Sequence, residues 1–162
     1  FNTGMTGYQE ILTDPSYTGQ IVTMTYPQIG NYGVNLDDME SKTTHASALV
    51  VRELSQLSSN WRATQTLEEW LIECRIPVLE GVDTRSLVKA IRSTGECSGL
   101  LVPLDSLHTL DELREEALDL PSMVGQNLAR QVSTHESYFW PSEAKTKQFN
   151  IIAYNSIYLN TC

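Results

Sequence analysis

The most reactive side chains in this sequence are its three cysteines, and Cys97 lies in "GECSG", residues 95–99. A G-x-C-x-G turn is how several hydrolases and amidotransferases present a thiol nucleophile. That chemistry needs a sharp strand-to-helix turn, which faces the sulfur toward a helix N-terminus and lowers its pKa. Here the order is reversed: a helical pattern ends at Gly95 and an apolar, strand-like run begins near Cys97. The sulfur is then expected by a helix C-terminus, whose partial negative charge opposes ionisation. No companion His follows at a workable position to act as base. "GECSG" therefore reads as a helix stop followed by a strand start, and the helical pattern around Cys74 makes that thiol core.

The remaining polar candidates are weaker. His45, His108 and His135 lie far apart, none with a second ligand at helical or hairpin spacing, and read as surface or capping residues with no metal site. Asp37 and Asp38 sit in a loop without the spacing of a calcium loop. In "TDPSY", residues 13–17, Asp14-Pro15-Ser16 reads as a turn. Asp favours the first position, Pro fixes φ at the second, and Ser bonds locally at the third. Such a turn can also present a backbone N–H and a hydroxyl to a ligand. The residues alone leave Ser16 between the two roles.

The elements that must position these residues alternate. "GQIVTMTYP", residues 19–27, is β-branched and bounded by Gly and Pro, a strand; "GNYGVNLDDMES" is a loop; "ASALVVREL", residues 46–54, is a second, more buried strand. "TQTLEEWLIECR" places Leu67, Trp70, Leu71 and Cys74 on one helical face, with Thr66 and Glu69 as a capping box. "IPVLEGV" is a short strand, and "DTRSLVKAIRSTG" a helix capped by Asp83 and stopped by Gly95, with Arg92 in its last turn. "CSGLLVPLD" is expected as a strand. "TLDELREEALDL" repeats the box with Thr109 and Glu112 in an acidic amphipathic helix, and "QNLARQVS" is a shorter helix. "SYFWPSEAKTKQ" is a polar linker, after which "FNIIAY" opens a further domain. Alternating strands and helices predict an α/β fold.

Composition sets the outer bounds. The 162 residues fit one domain with a real core, and 41% apolar with 19% charged residues describes a globular chain. A net charge of −9 with scattered basic residues argues against nucleic acid, and no apolar run approaches a bilayer span. An odd number of cysteines without C-x-x-C spacing reads as a reducing compartment.

"FNTGMTGYQEILTDPSYTGQIVTMTYPQIGNYGVN", residues 1–35, closely resembles the N-terminal signature of the small, glutamine-dependent subunit of carbamoyl phosphate synthetase. The likeness continues through "DTRSLVKAIRSTG" and "QNLARQVS" to "FNIIAY" and covers nearly the whole chain. It implies a layered α/β domain of the swivelling β/β/α kind over residues 1–140 and a linker over 141–148. Residues 149–162 are then the start of a truncated class I glutamine amidotransferase domain, with the last eight residues off-family. Relative to the family about one or two strands are missing before Phe1, and the departures are those expected of a truncated or mis-spliced gene model.

In that family a Cys in a G-x-C-x-G-x-Q elbow, with a His–Glu pair, hydrolyses glutamine. The ammonia passes through a tunnel to a large subunit, which uses bicarbonate and ATP to make carbamoyl phosphate for pyrimidine and arginine synthesis. "GECSG" is not that elbow, because it lacks the following x-Gln. The resemblance thus implies no catalytic residue in this chain, which is expected to be inactive alone. It gives one glutamine-binding residue, Ser16. Large subunit and L-glutamine are the implied partners; ATP and metal ions belong to the large subunit, and no cofactor to this chain. The implied compartment is the bacterial cytoplasm or a plastid stroma. The rival expectation is a stand-alone, non-catalytic interaction or regulatory module, or a non-functional gene fragment.

Overall fold

The computed structural model describes residues 1–95, 97–139 and 151–153. Its contacts divide the chain into two units, Phe1–Ser122 and Met123–Cys162. The strands of the first unit are β1 (Ile21–Thr23), β2 (Gln28–Ile29), β3 (Ala48–Val50), β4 (Glu53–Leu54) and β5 (Val78–Leu79). They form two parallel sheets, one in the order β1-β3-β5 and one pairing β2 with β4. The register sets Val22 beside Leu49 and Leu49 beside Val78. Parallel neighbours need long crossovers, which the helices and loops between them supply.

The helices of this unit are α1 (Tyr8–Thr13), α2 (Leu67–Cys74), α3 (Thr84–Thr94) and α4 (Leu110–Asp119), and α5 (Leu128–Val132) lies in the second unit. The α/β class is as expected. Both capping boxes form: the Thr66 hydroxyl accepts from Glu69 N–H while the Glu69 carboxylate accepts from Thr66 N–H, and Thr109 and Glu112 repeat this. Asp83 caps α3 by accepting from Ser86 N–H at 3.0 Å. Gly95 ends that helix at φ 87°, a left-handed φ that suits glycine.

The expected strand over residues 46–54 is divided between the two sheets. Ala48, Leu49, Val50 and Val51 are all buried, the continuous burial of a strand covered on both faces. At Val51 and Arg52 the chain leaves one sheet for the other, so β4 pairs with β2 and not with the neighbours of β3. The first expected strand is likewise shorter, with Met24 continuing only as a bridge to Asn2.

One expected strand does not form. Residues 97–103 carry no strand, because an apolar run becomes a strand only where a sheet edge accepts it, and among the described residues none pairs with this one. The expected α4 helix forms with its box, and its apolar side chains are exposed, Leu110 at 85% and Leu118 at 77%. In the second unit α5 has its expected place, capped by Asn127. Ile151–Ala153 of the expected "FNIIAY" strand pair with no strand among the described residues, and the rest of that run, most of the linker and the last eight residues lie outside the described residues.

The core gathers Tyr8, Leu12, Met24, Leu49, Leu67 and Leu71 against β1 and β3. Gly33 sits at its edge at φ 67°, where an added Cβ would stand 2.7 Å from both Ala63 Cβ and the Gln65 carbonyl. Strain and overpacking combine there, so Gly33→Ala is expected to cost about 2–4 kcal/mol, read as a lowered urea midpoint.

The cap carboxylates give a second expectation. The Thr66 N–H, then its hydroxyl, hold the Glu69 carboxyl below its ordinary value, and the Ser86 N–H does the same for Asp83. The unfolded chain therefore binds more protons, and this stability is present above the ordinary carboxylate range and lost as pH falls through it. Glu69→Gln should flatten the acid limb of a melting-temperature profile below about pH 4.5; an unchanged limb would count against the box.

Candidate functional site

Ser16 stands in the 3-10 turn Pro15–Tyr17, between α1 and β1. The turn forms as its residues predict. Tyr17 N–H donates to the Asp14 carbonyl at 3.0 Å, and the Asp14 carboxylate accepts from Ser16 N–H at 2.8 Å. On the far side the Thr18 N–H and hydroxyl both donate to the Pro15 carbonyl, at 3.1 and 2.7 Å. The Ser16 carbonyl accepts from Gln20 Nε2 at 2.9 Å. The backbone at Ser16 is thus committed in both directions. Its side chain is exposed, and among the described residues its hydroxyl has no hydrogen-bond partner.

The turn is carried by α1, a helix the sequence does not announce. Its N-cap is Gly7, at φ 85°, with no side chain to cap anything. The cap comes from across the sequence: the Tyr32 hydroxyl accepts from Gly7 N–H at 2.6 Å and from Tyr8 N–H at 3.3 Å. The Tyr32 ring also stacks on Tyr8, with centroids 4.2 Å apart, while the Tyr8 hydroxyl donates to the Gly33 carbonyl at 2.6 Å. Burial pushes both phenols above their ordinary range, so both are neutral hydrogen-bonding groups at physiological pH.

Midway along α1, the buried Gln9 amide exchanges hydrogen bonds with the Asn35 backbone, donating to its carbonyl and accepting from its N–H. At the far end the loop supplies donors for the last carbonyls. The Ser41 hydroxyl reaches the Thr13 carbonyl at 2.7 Å, and the His45 N–H reaches Leu12 at 2.8 Å. Residues 32–45 therefore serve α1 at its start, its middle and its end.

His45 also links this loop to the turn through its ring. Nε2 lies 3.0 Å from the Ser41 hydroxyl and Nδ1 lies 3.3 Å from the Thr18 hydroxyl. A Ser–His pair invites comparison with an acyl-transfer nucleophile, but the third group is a neutral hydroxyl where a carboxylate is needed to stabilise the imidazolium. The Ser41 proton, moreover, faces two backbone carbonyls, of Thr13 and Thr43. The arrangement joins elements and has no reacting group.

The other candidates are placed apart from this turn. Cys74 is half-buried against the core, and burial, then the Glu73 charge, raises its thiol pKa and disfavours the thiolate. Cys97 is exposed beyond the end of α3. Asp38 accepts from Asn35 Nδ2 at 2.7 Å and from Arg62 at 2.8 Å, and the Asn35 bond, then Arg62, holds its carboxyl below the ordinary range. Among the described residues no group of three or more His, Cys, Asp or Glu could hold a metal ion, and no helix is long and apolar enough to cross a membrane. Two clefts of about 330 and 300 Å³, one lined by Arg85, Lys89 and Arg92 and one by Leu71, Ile72 and Val78, do not include Ser16. What the turn offers chemically is a single hydroxyl, on a backbone held by hydrogen bonds, at an open surface.

Residues 1–101 match the family described as "Carbamoyl-phosphate synthase small chain, CPSase domain". The chain belongs to this family. It is 49% identical over 140 residues to the carbamoyl phosphate synthase small chain of Syntrophotalea carbinolica, and 48% identical over 145 residues to that of Synechocystis. The alignments cover 86% of this chain in both cases, and 37% and 36% of those relatives. The small chain of Aquifex aeolicus is 49% identical over 140 residues, again 86% of this chain and 37% of the relative. The chain thus spans a little over a third of the length of the carbamoyl phosphate synthase small chains it matches, and the residues that match the family, 1–101, include the Ser16 turn and the loop that supports it.

The sequence marks Ser16 and its turn and reads His45 only as a surface or capping residue; it does not reveal the bonds of Tyr32, Asn35, Ser41 and His45 to α1, which lie too far along the chain for local spacing. Tyr32→Phe keeps the ring stack and removes the cap, leaving Gly7 and Tyr8 N–H without an acceptor. It is expected to cost about 1–3 kcal/mol in a urea titration; a loss within a few tenths would show that α1 needs no cap.

Proposed function

We propose that this chain is the part of a glutamine-dependent carbamoyl phosphate synthetase small subunit that docks on the large subunit and lends the Ser16 hydroxyl to the glutamine site. In this reading the other glutamine contacts and the hydrolytic Cys, His and Glu come from an amidotransferase domain. Bicarbonate, ATP and metal ions are handled by the large subunit, in the cytoplasm or a plastid stroma. The carrying observation is that the Ser16 backbone is bonded on both sides while its hydroxyl is exposed and unpaired among the described residues. A backbone held in this way leaves only the side-chain rotamer to be ordered on meeting a ligand, which lowers the cost of a single contact.

Family membership supports the reaction class, and the chemistry of the chain supports its division of labour. The described residues offer no activated thiol: Cys74 is held as the thiol, and Cys97 lies beyond a helix C-terminus with no His–carboxylate pair beside it among the described residues. A hydroxyl, by contrast, can donate to a carboxylate or accept from an ammonium, the two charged groups of an amino acid.

In the assembled synthetase, Ser16→Ala is expected to raise KM for glutamine about five- to tenfold, the loss of one hydrogen bond to a charged group. Synthesis driven by free ammonia should be unchanged. An unaltered KM would overturn the assignment of Ser16. The chain on its own is expected to release no glutamate from glutamine, and an activity abolished by Cys97→Ser would reverse the reading of that cysteine.

A further inference from the structure

Resting on the reading of Ser16 as a glutamine contact, we infer that His45 is the positioning residue of that contact, a strut that sets the Ser16 turn against the end of α1. Four bonds converge on it. Its N–H donates to the Leu12 carbonyl at 2.8 Å, and its carbonyl accepts from Gly19 N–H at 3.4 Å. Its ring bridges the Ser41 hydroxyl at 3.0 Å and the Thr18 hydroxyl at 3.3 Å. Ser41 is bonded to the Thr13 carbonyl, the last of α1, and Thr18 to the Pro15 carbonyl, next to Ser16. A path of contacts at hydrogen-bond distance therefore runs from the helix end through the imidazole to the residue before Ser16, with the Ser41 and Thr18 protons each shared between the ring and a backbone carbonyl.

The chemistry suits a strut. Each hydroxyl has one proton to divide between the ring and a backbone carbonyl, so in either tautomer the neutral ring donates to one hydroxyl and accepts from the other. The imidazole is rigid and spans two hydroxyls that could not reach each other directly. Without it, Thr18 keeps its bond to Pro15, and the turn survives as a turn. What is lost is its fixed position relative to α1, and a contact made by one hydroxyl tolerates only a few tenths of an ångström of displacement before it weakens.

The test uses the assembled synthetase with this sequence in its small subunit. His45→Ala should raise KM for glutamine about three- to tenfold, with ammonia-driven synthesis unchanged. His45→Asn, whose amide stands near the Nδ1 position, and His45→Gln, which reaches toward Ser41, should each recover part of that loss. They also carry the test should the alanine variant fail to assemble. Adding His45→Ala to Ser16→Ala should raise KM no further, because the strut acts through the hydroxyl already removed.

The outcomes separate. If Ser16→Ala raises KM and the His45 variants do not, the strut is overturned and the Ser16 reading stands. If Ser16→Ala is silent, that reading falls and the strut with it. A His45→Ala variant that depresses the ammonia-driven rate in parallel, or whose effect adds fully to that of Ser16→Ala, has a general structural role and overturns the inference.

Discussion

The constraint on which the Ser16 turn depends is that a helix of six residues, α1, cannot satisfy its own backbone. A helix leaves four N–H groups at one end and four carbonyls at the other without internal partners, and in so short a helix that is most of the backbone. Isolated helices of this length are not stable in water. Here the deficit is met by one loop, residues 32–45, which brings a phenol to the N-terminus, the Asn35 backbone to the middle, and a hydroxyl and an N–H to the C-terminus. The loop is held in turn by its own contacts: Asn35 folds it over Asp37 and Asp38, and Arg62 closes on Asp38. Helix and loop are each incomplete without the other.

This interdependence decides what was legible in the sequence. Caps whose partners lie three residues apart were readable, and Thr66–Glu69, Asp83–Ser86 and Thr109–Glu112 all form. The cap of α1 is Tyr32, twenty-four and twenty-five residues from the groups it serves, and no local pattern carries that information. "MTGYQEILTDPSY" consequently offers a turn to the reader but not a helix. Strand runs were recognisable as apolar and β-branched, yet which sheet they join depends on partners elsewhere, so Ala46–Leu54 divides at Val51–Arg52 and residues 97–103 pair with nothing among the described residues. The Ser16 turn itself followed from Asp, Pro and Ser in order. The use for binding proposed for it rests on the family resemblance, because an exposed hydroxyl on a turn has no sequence signature.

Buried polarity around α1 is what makes the placement of that turn specific. An apolar side chain at position 9 would fill the same space, and packing alone would accept α1 in more than one register. Gln9 instead exchanges two directional bonds with the Asn35 backbone while only 1% exposed, so any other register leaves buried polar groups unpaired, at a cost of about 1–3 kcal/mol for each. Thr13 adds to this, accepting from Glu40 N–H while bonding back to the Gln9 carbonyl. A slip of one residue along α1 would shift its end by about 1.5 Å and rotate it by about 100°, carrying the Ser16 hydroxyl out of reach of any fixed partner. The polar contacts along the helix thus fix a coordinate, the direction in which one hydroxyl leaves the surface, that apolar packing of the same volume would leave undetermined.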